Sequence, residues 1–341
     1  MFPSKTARYA MFGLIYFAEG AILSYFTSLN SLYLLSYKLT MAQIGLMSAI
    51  AIIPFIIKIF FGMLSDRFNL LNLGHRKPYI IFGLLLQALC LLLVPAIHPG
   101  SQFGLFALLA FVLMSGQALY DTCTDGLALD TTPPAEGGTI QGIMVGGRAL
   151  GVVLISAALG WIVQNLSWNG AFWLLAVLTL LPLPLVLLAK EPARPAGRRF
   201  EWKAFGAFKV KSVIALGVLG ALYSLIINAA NQIINPFLQG EFNIDYSTAG
   251  WVTTAWGIGV VLGGLTGGRL ADRTGHKRAV YIAIGITFVS VLLLGAVVVP
   301  ELVWPLVILF GLAFGYYETV YFAVSMELTD PRIAASMFSI L

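Results

Sequence analysis

The chain has 341 residues, of which 59% are hydrophobic and only 10% charged, with a mean hydropathy of +0.90. Soluble domains carry about 25% charged residues, so this composition excludes a water-soluble globular fold and makes lipid the solvent for most of the surface. The net charge of +5 does not call for a nucleic-acid partner, because the Lys and Arg residues collect in loops on one side of the chain rather than in a patch.

A spanning helix needs about 20 apolar residues. Ten segments qualify, at 10–35, 43–65, 78–97, 103–129, 140–164, 168–189, 213–238, 248–271, 279–299 and 302–327. Lys5 and Arg8 lead into the first of them, which is too long for a signal-peptide core and lacks a small-residue cleavage site. The second opens with Thr40-Met41-Ala42-Gln43, a capping-box pattern, and the third follows Pro78, which suits a first helical turn. Cys90 and Cys123 fall inside spans and read as packed thiols rather than a disulfide. His75, His98 and His276 lie in loops, so no metal site or cofactor is expected. Trp168, Trp202 and Trp304 fit interfacial belts. Tyr16, Tyr25, Tyr316, Tyr317 and Tyr321 serve either packing or stacking on a substrate.

An eleventh apolar stretch starts near Ala334 and stops at Leu341. A helix ending inside the bilayer leaves carbonyls unsatisfied in hydrocarbon, so the expectation is that helices eleven and twelve are missing from this chain. Of the 20 Lys and Arg residues, 17 fall on one side of the alternating spans. The positive-inside rule makes that side, with the N-terminus, cytoplasmic. The one long connection runs over 190–212 and is rich in Pro and Arg. It divides an N-terminal six-helix bundle (1–189) from a C-terminal bundle (213–341). Its portion 198–205 reads either as a surface amphipathic helix or as a solvated linker.

The two sides of the linker repeat each other. Gly62, Asp66 and Arg67, followed by Gly74, Arg76 and Lys77, join helices two and three; Gly268, Asp272 and Arg273, followed by Gly275, Lys277 and Arg278, join helices eight and nine. At a constant offset, Asp121 corresponds to Glu318, Asp130 to Glu327, Pro134 to Pro331 and Thr139 to Ser336. Two parallel six-helix repeats are therefore expected.

That duplicated G-x-x-x-D-R…G-x-[KR]-[KR] loop resembles the signature of the major facilitator superfamily. The resemblance implies an all-α membrane protein of the major facilitator fold, with two pseudo-symmetric six-helix bundles, the second incomplete. It also implies a multi-pass permease of a bacterial cytoplasmic membrane whose loop latches one bundle against the other during alternating access. In that arrangement Asp66 faces helix eleven. Phe55-Ile56-Ile57-Lys58, Asp121-x3-Asp125-Gly126 with Asp130, Gly147-Arg148 and the Asn69–Leu73 expansion are similar to a narrower branch. That branch holds muropeptide permeases, acetyl-coenzyme A transporters and folate–biopterin transporters, and implies a bulky polar or anionic metabolite as substrate.

Six ionisable residues lie within spans: Glu19, Lys58, Asp121, Asp125, Arg148 and Glu318. Each costs about 2.5–3.5 kcal/mol at the centre of a span. Lys58, Asp121, Arg148 and Glu318 reach about 12–14 Å from the cytoplasmic end at 1.5 Å per residue, a common depth that points to a shared polar cavity. Gln117, Asp121 and Asp125 share one helix face. So do Asn228, Asn231, Gln232 and Asn235 on helix seven, which either line the cavity or glue helices together. Two cations against four carboxylates favour protonation of at least one carboxyl, with Asp121, Glu318 or Glu19 as the titrating group. The competing reading is static ion pairing, for example Lys58–Asp121 and Arg148–Asp125.

Secondary active transport of a small molecule, with protons as co-substrate, is the leading functional reading. The absence of a phosphate-binding G-x-x-x-x-G-K-[ST] loop excludes ATP hydrolysis by the chain itself. An intramembrane prenyltransferase would explain Asp121-x3-Asp125-x4-Asp130 but needs a second Asp-rich motif. A facilitator-fold assembly or pigment-binding factor remains the non-transporting alternative.

Overall fold

A computed structural model describes residues 4–70, 74–131, 137–191, 206, 208–274, 276–296 and 299–328. The proposed surface helix at 198–205 and the start of helix eleven lie outside these residues. The described chain is helical: α1 (Lys5–Ser28), α2 (Asn30–Ser36), α3 (Met41–Ile56), α4 (Lys58–Arg67), α5 (Lys77–Leu93), α6 (Phe103–Thr131), α7 (Gly137–Asn165), α8 (Trp168–Leu180), α9 (Leu183–Leu188), α10 (Lys211–Phe242), α11 (Tyr246–Thr274), α12 (His276–Gly295) and α13 (Val303–Leu328). Ten of the resulting segments are long and apolar enough to cross a membrane.

Three expected spans are broken, each for a local reason. The first divides at Leu29, behind a run in which Ser24, Thr27 and Ser28 bond back to carbonyls of their own helix, a pattern that bends helices. The second divides at Ile57, three residues after Pro54, which lacks the N–H the helix needs. The sixth divides around Pro182. Thr40 and Gln43 form the expected capping box on α3.

The chain separates into two compact units, Met1–Arg199 and Phe200–Leu341. Within each, large apolar side chains such as Phe82, Leu89, Trp173, Leu225 and Phe288 are exposed, while Gln87, Gln117, Thr124, Ser156 and Ser290 are buried. Polar groups inside and apolar groups outside is the distribution lipid imposes.

Close approach of helices depends on glycine at the contacts. In the first unit α1 packs on α7 so tightly that a Cβ on Gly20 would stand 2.1 Å from the Arg148 carbonyl oxygen, and one on Gly151 2.3 Å from that of Phe17. In the second unit α11 and α13 meet the same way. A Cβ on Gly263 would lie 2.1 Å from the Leu312 oxygen, and one on Gly315 2.0 Å from that of Val260.

Candidate functional site

The α1–α7 contact sets Glu19 beside Arg148. Because Gly20 lets the Arg148 backbone touch α1, the guanidinium reaches Glu19, with Nη1 3.8 Å from Oε1. The break after Pro54 makes Lys58 the first residue of α4. A cation there opposes the helix dipole, and the Asp121 carboxylate of α6 offsets it, with Nζ 3.8 Å from Oδ2. One turn further along α6, Asp125 accepts a short hydrogen bond from the Tyr16 hydroxyl of α1. Four expected spans thus bring Glu19, Lys58, Asp121, Asp125 and Arg148 into one cluster.

Exposure within the pairs is unequal. The Lys58 and Arg148 side chains are 25% and 31% exposed, while those of Asp121 and Glu19 are each 9% exposed. The cation is therefore the more exposed partner of each pair. Contacts of 3.8 Å are charge contacts rather than hydrogen bonds. The second Glu19 oxygen, Oε2, is buried without a hydrogen-bond partner. Three carboxylates against two cations give the cluster a net charge of −1 when all are ionised. Where the static-pairing alternative sets Arg148 against Asp125, Arg148 instead lies beside Glu19, because the glycine contact puts α7 against α1, and Asp125 accepts from Tyr16.

The remaining candidates divide between the two units. Gln117 is buried and its Oε1 accepts from Gln87 Nε2 of α5 at 2.9 Å, an interhelical contact. On α10, Asn228 is exposed and its amide donates to the Ser224 carbonyl, Asn231 and Gln232 are half-buried, and Asn235 is buried with Nδ2 3.4 Å from Thr253 Oγ1. Glu318 is half-buried on α13 in the second unit, near Tyr223. Among the described residues no His, Cys, Asp and Glu group has metal-ligand grouping.

The first signature loop is clasped from within its own unit. Gly74 has φ +121, a conformation that favours glycine, and a Cβ there would stand 2.2 Å from Glu191 Oε2. The Glu191 carboxylate accepts from the backbone N–H groups of His75, Arg76 and Lys77 at 2.9, 2.8 and 3.0 Å, so it caps the N-terminus of α5. In return Lys77 Nζ donates to the carbonyls of Leu187 and Ala189 at the end of α9, at 2.6 and 2.9 Å. Arg76 hydrogen-bonds Ser65 and lies against Gly126, where a Cβ would meet the guanidinium carbon at 2.6 Å. The side chains of Asp66, Arg67, Asp272 and Arg273, and Gly268 and Gly275, lie outside the description, while Lys277 and Arg278 are exposed at the start of α12.

Sequence reasoning named Tyr16 for packing or substrate stacking but not as a partner of Asp125, and it missed Glu191. Tyr16 carried a signal for the pairing, since it lies three residues before Glu19 and so on the same face of α1. Glu191 carried none, because its partners lie more than a hundred residues away.

The chain is 24% identical to the anhydromuropeptide permease of Escherichia coli (strain K12), over 98% of this chain and 70% of that protein. It is 27% identical to the folate-biopterin transporter of Synechocystis sp. (strain ATCC 27184 / PCC 6803 / Kazusa), over 45% of this chain and 31% of the other. In fold it is similar to a variant of the nucleoside transporter NupG, with a TM-score of 0.80, 17% identity and coverage of 98% of this chain and 86% of that one. The model of the Major Facilitator Superfamily matches residues 12–341. With this match, and with ten helices among the described residues long and apolar enough to cross a membrane, the chain is a multi-pass membrane transporter rather than an enzyme, and it belongs to the Major Facilitator Superfamily.

Proposed function

We propose that this chain is a secondary active transporter that moves an acidic metabolite together with protons by alternating access. Its N-terminus and signature loops lie on the cytoplasmic side of a bacterial inner membrane, as the Lys and Arg distribution requires. The observation that carries the reading is the cluster of Glu19, Asp121 and Asp125 with Lys58 and Arg148. Its cations are the more exposed partners of the two pairs and meet their carboxylates at 3.8 Å, beyond hydrogen-bond distance, so an incoming carboxylate or phosphate can compete for them.

Neutrality then links the two substrates. The cluster alone is one proton short of zero charge, and an anion that draws Lys58 or Arg148 away leaves a buried carboxylate uncompensated. Protonation removes that penalty. Glu19 is best placed to accept the proton, because one of its oxygens already lacks a partner. Both relatives named above are transporters by name, one of anhydromuropeptide and one of folate and biopterin; muropeptides and folate carry carboxylates, which supports a bulky substrate with an acidic group.

The test is uptake into proteoliposomes of labelled anhydromuropeptide and of folate under an imposed inward proton gradient. The wild-type chain is expected to accumulate one of them only when the gradient is present. Glu19→Gln keeps the shape of the side chain but cannot titrate, so gradient-driven accumulation is lost while exchange of labelled for unlabelled substrate persists. Accumulation by Glu19→Gln equal to the wild type would reject Glu19 as the proton acceptor. Binding of either compound with no gradient-dependent movement would favour a non-transporting factor.

A further inference from the structure

We infer that Tyr16 is a positioning residue that decides which carboxyl of the cluster takes the proton, an inference that rests on the proton-coupled reading above. The three carboxylates differ in their neighbours. Asp121 faces the Lys58 ammonium from α4 and Glu19 faces the Arg148 guanidinium from α7, whereas Asp125 faces the neutral hydroxyl of Tyr16. Tyr16 and Glu19 lie on one face of α1, three residues apart, and Asp121 and Asp125 lie on one face of α6, four apart. The phenol therefore reaches across to Asp125 from the turn that precedes Glu19.

A phenol hydroxyl aimed at a carboxyl oxygen donates to it, and that bond is stronger when the acceptor is ionised. Tyr16 thus holds Asp125 as the carboxylate without adding a positive charge. Asp121 has the Lys58 ammonium to do the same. Glu19 has a 3.8 Å contact to a guanidinium that is 31% exposed, and its other oxygen is buried without a partner. Of the remaining titratable groups, Tyr120 of α6 lies near Glu19 and Asp121 with its hydroxyl buried and unpartnered. A neutral phenol there leaves the charge count unchanged. The one proton that neutralises the cluster is steered to Glu19 because Tyr16 occupies the alternative.

The consequence has a definite sign. Removing the hydroxyl takes a donor from the ionised form of Asp125, so Asp125 binds a proton more readily. The cluster then holds its proton to higher pH, and the midpoint of the transport pH profile moves upward. A hydrogen bond to a charged group contributes about 1.5–3 kcal/mol, and one pH unit corresponds to about 1.36 kcal/mol, so the expected shift is at least about 1 pH unit.

The experiment measures the pH profile of proton-driven uptake of labelled anhydromuropeptide or folate in proteoliposomes carrying the wild type, Tyr16→Phe, Asp125→Asn and the double variant. Tyr16→Phe is expected to shift the midpoint upward by at least about 1 pH unit, and to produce no further shift in the Asp125→Asn background. An unchanged midpoint in Tyr16→Phe, or an equal shift with and without Asp125, overturns the inference and leaves Tyr16 as packing. If Tyr16→Phe does not fold, infrared difference spectra of the wild type and Asp125→Asn still decide: a protonated-carboxyl band that persists in Asp125→Asn supports Asp125 as the carboxylate, and loss of that band overturns it. Absence of proton dependence in the wild type itself is a different outcome, and rejects the proposed function rather than this assignment.

Discussion

The two units use one helical scaffold with opposite interiors. Where the signature loops are aligned, Lys58 of the first unit corresponds to Gly264 of the second, and a Cβ on Gly264 would meet Thr319 Oγ1 at 3.3 Å. The first unit fills the region between its equivalent helices with charge: Glu19, Lys58, Asp121, Asp125 and Arg148. The second fills it with aromatic rings and close backbone. Tyr223 stacks on Tyr317, which stacks on Tyr321, and the Tyr223 hydroxyl meets Thr287 Oγ1 at 2.9 Å and the Ala313 carbonyl at 3.2 Å. Glu318 occupies the place of Asp121 in the repeat, but the glycine of the neighbouring helix stands where the lysine would be. Both units pack helices closely on glycine, but the pairs of cation and carboxylate described above belong to the first unit and the stacked tyrosines to the second.

That comparison can be broken by substitutions, the largest expected effect first. Gly315→Ala forces a Cβ within 2.0 Å of the Val260 oxygen. Parting α11 from α13 costs about 3 kcal/mol, visible as a large fall in thermal unfolding temperature in detergent. Gly285→Ala in the same unit meets nothing within 4 Å and leaves that temperature unchanged or higher. Equal behaviour of the two would show that close packing does not hold the second unit.

In the first unit, Lys58→Met leaves Asp121 without its cation and lowers stability by about 3 kcal/mol. Adding Asp121→Asn to Lys58→Met recovers most of the loss, because the penalty belongs to the stranded charge. A double variant no more stable than the single one would mean that Lys58 acts through packing instead. The smallest effect concerns the clasp. Glu191→Ala removes the acceptor shared by three backbone N–H groups and lowers unfolding free energy by about 2 kcal/mol, with proteolysis at the loop as a second readout.

Features that depend on local chemistry or on composition were legible in the sequence. The ten spans, the capping box at Thr40 and the repeat needed only apolar runs, a cap pattern and matched spacing. Clustering of Lys58 with Asp121 followed from depth along each helix, since rise per residue is fixed. Choice of partner was not legible. Whether Arg148 meets Asp125 or Glu19 depends on how α7 rotates against α1, and that is set by where Gly20 and Gly151 permit contact. The partners of the side-chain amides were not legible for a similar reason: Gln117 and Asn228 both carry a polar signal, and one bonds Gln87 across helices while the other bonds its own helix. The breaks after Leu29 and Pro54 interrupt stretches that hydropathy reads as continuous, because a proline or a back-bonding serine changes hydrogen bonding without changing the apolar run.

The most direct test follows protons rather than substrate. Proteoliposomes in lightly buffered medium with a pH dye outside are given anhydromuropeptide or folate, and the external pH is recorded. The wild-type chain is expected to alkalinise the medium as substrate enters, and Glu19→Gln to leave the pH flat while still exchanging labelled for unlabelled substrate. Alkalinisation by Glu19→Gln at the wild-type rate would contradict a proton carried on the charge cluster of the first unit.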